Sequence, residues 1–124
     1  MYIIAFLSFF YLTVVNVIAQ EKNFTENDSV ITVKENDEFT ITLDANHSTG
    51  YRWFLEVEPI SGLITVEEDR YVINEEEKGI DGAGGKEIWR FKAKTVGVVM
   101  LKFTYKRSRE DDHVSLREFQ INIE

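Results

Sequence analysis

From Ser29 to the C-terminus, apolar side chains recur at every second position. That is the spacing of a strand with one buried face, not the 3.6-residue spacing of a helix. Ile31 and Val33 flank Thr32, and Phe39, Ile41 and Leu43 alternate with Thr40 and Thr42. Tyr51, Trp53, Leu55 and Val57 fall on one face, with Arg52, Phe54 and Glu56 on the other. Shorter runs at Gly62–Val66 and Tyr71–Ile73 each read as a strand of their own. Trp89, Phe91 and Ala93 alternate with Arg90 and Lys92, and Val99, Leu101, Phe103 and Tyr105 with Met100, Lys102 and Thr104. The last run holds Val114 and Leu116, then Phe119, Ile121 and Ile123, and its slip of phase at Arg117–Glu118 predicts a bulge. Neither a helical stripe, a repeat nor a linker interrupts the pattern. It predicts an all-β fold, an antiparallel β-sandwich of about seven to eight strands.

The first 28 residues read differently. Residues 1–19 carry no charged side chain, and Ile3 to Val15 is almost continuously apolar. Val17 and Ala19 stand at the small-residue positions before a cleavage point at Gln20, so 1–19 reads as a secretory signal peptide. The competing reading is an uncleaved membrane anchor, because the stretch approaches the ~20 residues that span a bilayer. Asn16 interrupts the apolar run just before the cleavage point and favours cleavage. Residues 20–28 form a polar lead-in and 29–124 the folded domain. This address implies the secretory pathway, ending outside the cell or in the lumen of a lysosomal or endosomal vesicle. Three N-x-[ST] triplets, at Asn23, Asn27 and Asn46, are candidate glycosylation sites consistent with it.

Composition narrows the function. The chain has 124 residues, 44% hydrophobic, with no cysteine. A core of that size must hold by packing alone, and thiol nucleophiles, redox pairs and thiolate zinc sites are excluded. His47 and His113 have no companion at metal-ligand spacing, so no metal is expected. A net charge of −8 and a pI near 4.8 argue against nucleic acid as a partner.

Three loops exceed what a plain hairpin needs: Asp44–Gly50, Asn74–Gly85 and Lys106–His113. In a sandwich with Greek-key connections such loops gather at one end and form a single surface. None carries an enzyme's constellation. Gly85-Lys86 imitates the end of a P-loop, but Ile80 stands where the first glycine belongs and Glu87 where Ser or Thr belongs. The acidic runs Glu75–Glu77 and Glu110–Asp112 lack the alternating ligand spacing of a calcium loop and read as solvated charge. Ser48 and Thr49 adjoin His47, but on extended backbone neighbours point to opposite faces, and no third group orients them. Neither a catalytic residue nor a cofactor is expected. What remains is binding.

The loops bear the marks of one family. Asn46-His47-Ser48-Thr49-Gly50-Tyr51 followed by Trp53 resembles the Asn-Pro-Thr-Thr-Gly-[Tyr/Phe] motif and following Trp of the chagasin family of cysteine protease inhibitors. Gly82-Ala83-Gly84-Gly85 matches that family's Gly-x-Gly-Gly loop. Thr104-Tyr105-Lys106-Arg107-Ser108-Arg109 keeps the Arg of its third motif, Arg-Pro-Trp, and loses Pro and Trp.

The resemblance implies an immunoglobulin-like sandwich and reversible, tight inhibition of papain-like cysteine endopeptidases, of the cathepsin L type or similar, by a monomer. It implies that Asn46, His47, Ser48, Thr49, Gly50 and Tyr51 enter the cleft, with Ser48 and Thr49 toward the active site. Gly82, Ala83, Gly84 and Gly85 would grip one side by backbone, and Arg107 and Arg109 the other. His47 in place of Pro is expected to loosen the first loop, and Arg109 in place of Trp to remove an aromatic anchor. The alternative reading is a secreted immunoglobulin-like adhesion or glycan-binding module without a protease target.

Overall fold

A computed structural model describes residues 22–56 and 62–124; the segment read as a signal peptide lies outside the described residues. Eight strands follow in order: β1 Lys22–Thr25, β2 Val30–Val33, β3 Glu38–Ala45, β4 Arg52–Leu55, β5 Ile64–Ile73, β6 Gly85–Ala93, β7 Gly97–Lys106 and β8 Ser115–Ile123. They form two four-stranded sheets, ordered β1-β3-β6-β5 and β2-β8-β7-β4. The central pairings are antiparallel, as the alternation suggested. Two edge pairings are parallel, β1 on β3 and β2 on β8, so the sandwich is mixed.

The period-two residues face the interior between the sheets. Phe39, Ile41 and Leu43 of β3 and Trp89, Phe91 and Ala93 of β6 pack against Leu101 and Phe103 of β7 and Phe119 and Ile121 of β8. Phe39, Phe91, Phe103 and Phe119 are each below 2% exposed. Such burial stabilises by roughly 1.5–3 kcal/mol per side chain before entropy is counted. Phe103 meets Trp89 and Phe119 edge-on, at centroid distances of 5.2 and 5.8 Å. These arrangements suit the opposite charge of ring face and ring edge.

Three departures from the sequence pattern have local causes. The polar lead-in supplies a strand: Phe24 packs edge-on to Phe39, and Lys22 pairs with Asp37 at 3.0 Å. The runs at 62–66 and 71–73 are parts of a single ten-residue strand, β5, whose irregularity falls between Val66 and Glu68. The bulge expected at Arg117–Glu118 is absent, and β8 pairs with β7 without a break from Ser115 to Ile123. Arg117 occupies an inward-phase position instead. Its guanidinium lies over the Trp53 ring at 5.7 Å and its Nε meets Glu26 at 3.3 Å, which leaves Leu116 facing outward.

Candidate functional site

The first loop is a single tight turn. Asn46 ends the strand in extended conformation, His47–Thr49 makes one 3₁₀ turn, and Gly50 closes it at φ +83°. That left-handed value is the one glycine adopts without strain. The side-chain oxygens of the tip fold back on the turn itself. The Asn46 Oδ1 accepts from the Ser48 N–H at 3.1 Å and from its hydroxyl, and the Thr49 hydroxyl donates to the Asn46 carbonyl at 2.6 Å. Ser48 and Thr49 are exposed, as expected, but their hydroxyls serve the turn.

Two tyrosines hold this turn from below. The Tyr105 hydroxyl of β7 accepts the Asn46 N–H at 2.8 Å, and the Tyr71 hydroxyl of β5 accepts the His47 N–H at 3.4 Å. Trp53 donates its indole N–H to the Asp44 carbonyl at 2.9 Å, fixing the strand that leads into the loop. His47, which stands where proline was expected to stiffen the turn, has packing contacts of its own. Its ring stacks on Tyr71 with centroids 3.7 Å apart and planes within 14°, and its Nε2 stands 3.4 Å from Glu87 Oε2. Glu87 is 3% exposed and also accepts the Trp53 backbone N–H at 2.8 Å. Burial pushes its carboxyl above the usual carboxylate range; the Trp53 N–H and His47 oppose that shift.

The second loop carries a short 3₁₀ turn, Glu75–Glu77, and then the glycines. Asn74 closes it: its N–H donates to the Gly84 carbonyl at 3.0 Å and its Nδ2 to Glu77 at 2.7 Å. Gly85 is a matter of space. A Cβ there would stand 2.4 Å from the Val72 carbonyl oxygen and 2.6 Å from the Tyr71 ring. Asn46 joins the first loop to the second, its Nδ2 donating to the Gly82 carbonyl at 3.0 Å. Between them lies an open groove of about 420 Å³, with Asn46, Asn74, Gly84 and Tyr105 in its walls.

The third loop meets the first through Arg107, whose guanidinium lies 4.7 Å from the centre of the Tyr51 ring. That contact is a cation–π pair on the flank of the tip. Arg109 lies lower, 5.3 Å from the centre of the Phe54 ring, while Lys106 pairs with Glu56 at 2.7 Å and donates to the Arg109 carbonyl at 3.0 Å. The Lys106 hydrogen bond, with that of Thr104, keeps the Glu56 carboxyl below its ordinary range. All three loops thus stand at one end, with Asn46–Tyr51, Gly82–Gly85 and Arg107 around the tip and Arg109 on its flank.

The sequence pattern singled out the tip but not its supports: Tyr71, Asn74, Glu77, Glu87 and Tyr105. A signal for two of them was present. Tyr105 was read in phase with Leu101 and Phe103, and Glu87 shares the phase of Trp89, Phe91 and Ala93, a signal that was not used.

Residues 32–123 match the family model described as chagasin family peptidase inhibitor I42. A sequence search of curated proteins finds no match. Among solved structures, the cysteine protease inhibitor EhICP2 of Entamoeba histolytica superposes with a TM-score of 0.71 at 21% identity, over 84% of this chain and 96% of that one. The solution structure of amebosin gives 0.67 at 23% identity, over 85% and 99% of the two chains. PbICP-C, solved in complex with falcipain-2, gives 0.61 at 17% identity, over 88% and 95%. At these identities the structural likeness speaks for the fold, and the family match covers the three loops.

Proposed function

The chain belongs to the chagasin family of peptidase inhibitors, and from that premise we propose that it blocks papain-like cysteine endopeptidases with the three loops at one end of its sandwich. The observation that supports this most is the first loop, a projecting turn whose hydrogen bonds close within itself and whose flanks are bonded to the second loop. A protease cleaves a peptide that lies extended across its catalytic pair. The 3₁₀ turn at His47–Thr49 offers no extended peptide at its apex, so it can fill a cleft without presenting a bond for attack. Being pre-ordered, it also loses little conformational freedom on entry. The second loop presents backbone with small side chains, and Arg107 supplies a charged, planar contact on the other side. In this reading residues 1–19 send the inhibitor into the secretory pathway, to the outside of the cell or the lumen of a lysosomal or endosomal vesicle, where it acts as a monomer.

The test is titration of the purified protein against papain and a cathepsin L-type enzyme with a fluorogenic peptide. Stoichiometric, reversible loss of activity is expected. Full activity with inhibitor at about 10 μM, where even a weak complex would form, would overturn the proposal.

A further inference from the structure

Beneath the tip sits a buried polar cluster that inhibition by the loop surface alone does not require. Glu87 projects from β6 into the interior on the same face as Trp89 and Phe91, where an apolar residue would ordinarily stand. It touches two things: the Trp53 N–H of β4 and, at 3.4 Å, the His47 Nε2 of the first loop. That nitrogen is itself buried and makes no hydrogen bond among the described residues, so the Glu87 carboxylate stands beside it at ion-pair distance as its nearest charged group. From β5, Tyr71 covers the other face of the imidazole, and Asp69 adds a second carboxylate to the surroundings of both groups. Arg52 of β4 faces Asp69 and offsets part of its charge.

We propose that Glu87 is the positioning residue of the first loop: its buried carboxylate and the His47 imidazole share one proton, and that proton ties the Asn46–Gly50 turn to the sandwich in the shape that enters a cleft. With one proton in the pair, no buried charge is left uncompensated, whether imidazolium faces carboxylate or imidazole faces carboxyl. Loss of the proton leaves a carboxylate almost wholly out of water, with Asp69 nearby and the Trp53 N–H as its firm donor. The tie between loop and sheet then weakens, and the turn gains freedom. The pair takes up its proton as the pH falls, so the tip is held more firmly in mild acid than at neutral pH. The raised proton affinity of Glu87 is in keeping with this. The effect on inhibition rests on the functional reading above; the effect on the loop does not.

Glu87→Gln tests it, because glutamine keeps an acceptor for the Trp53 N–H and removes the charge. Inhibition constants of parent and variant are measured on papain at pH 5.5 and pH 8, and their ratio cancels the enzyme's own titration. The variant-to-parent ratio is expected to fall on the order of tenfold between those two values, the size of one pKa unit of coupling. His47→Gln removes the proton from the other side and should flatten the profile likewise, which covers the case in which Glu87→Gln fails to fold. A second readout needs no protease. In the parent, backbone amide resonances of Ser48–Gly50 should titrate in step with the His47 ring, with His113 as the exposed reference. In Glu87→Gln they should move by less than about a third as much. A ratio that stays constant with pH, or loop amides indifferent to the His47 titration, would overturn the proposal. If the parent inhibits nothing, the functional reading fails and the resonance titration alone decides this one.

Discussion

Replacing Gly85 by alanine tests whether the second loop is braced against the first. An added Cβ would meet the Val72 carbonyl oxygen at 2.4 Å and the Tyr71 ring at 2.6 Å. The oxygen belongs to the ladder between β5 and β6, where Ile73 pairs with Gly85 and Val72 with Lys86, so it cannot rotate away without breaking that register. The ring must shift instead; it stacks on His47, and its hydroxyl accepts the His47 N–H. Overpacking of this kind costs about 1–3 kcal/mol. For a domain near 100 residues each kcal/mol lowers the melting temperature by roughly 4–8 °C, so a fall of about 5–20 °C is expected. Gly84 is the control, because a Cβ there meets Asn74 and Glu77 at 3.6 Å, an ordinary contact. Gly84→Ala should stay within about 0.5 kcal/mol of the parent. Thermal unfolding followed by near-ultraviolet circular dichroism, which reports Trp53 and Trp89, separates the two. Papain titration should show Gly85→Ala weakened even well below its melting point, since the displaced ring supports the tip. A Gly85→Ala protein that melts within about 2 °C of the parent, or a Gly84→Ala protein that falls as far, would refute the reasoning.

Other outcomes follow from the same contacts. Burial raises the Glu87 carboxyl on folding, and such a group stabilises fully below its unfolded value and loses that contribution as pH climbs through its folded value. Urea unfolding of Glu87→Gln should therefore gain on the parent from pH 5 to pH 8; an unchanged difference would mean the carboxylate carries no burial penalty. Asn46→Ala removes the cap on Ser48 and the bridge to Gly82, and should weaken papain inhibition by about tenfold or more while costing no more than about 1–2 kcal/mol in unfolding. Inhibition unchanged in that variant would show that the bridge does not order the tip. Peptide mapping of protein secreted by a glycosylating host should find Asn46 bare, because both ends of its amide are engaged and a sugar would occupy the cleft. Full occupancy of Asn46 in material that still inhibits stoichiometrically would sink loop insertion.

The layers of the sandwich were legible because period-two burial is a local property: β6 and the end of β8 carry it without interruption, and β3 and β7 carry it over their apolar positions. It misled where a charged residue took an inward position. Arg117 broke the apolar phase and read as a bulge, yet the strand is regular and the guanidinium has Trp53 and Glu26 to meet. Glu87 is the same case in the candidate site. Its phase was readable, but polarity argued against burial, and the partners that permit it, His47 and the Trp53 N–H, are 40 and 34 positions away in sequence. Partners at that range are set by sheet order, which alternation does not encode. The parallel edges escaped for a related reason, since a strand's own pattern does not state its neighbour's direction.

Two of the departures from the family's loop motifs, Arg109 and His47, therefore differ in consequence. At the third loop, Arg109 stands where the resemblance implies an aromatic anchor, and it lies against Phe54 on the flank rather than at the tip. The loop holds no Phe, Tyr or Trp, and Arg107 reaches the first loop through the Tyr51 ring. At the first loop, histidine stands where proline would restrict the backbone directly. A proline acts through its own φ and has no further partners. His47 acts through Tyr71 and Glu87, so the stiffness of the turn is set by the packing of β5 and β6 and by a proton. His47→Pro should then restore a stiff loop by the other route while leaving Glu87 buried without its partner. In that background Glu87→Gln should raise the urea midpoint at pH 8 rather than lower it, because a neutral amide replaces a buried carboxylate left with the Trp53 N–H but no counter-charge.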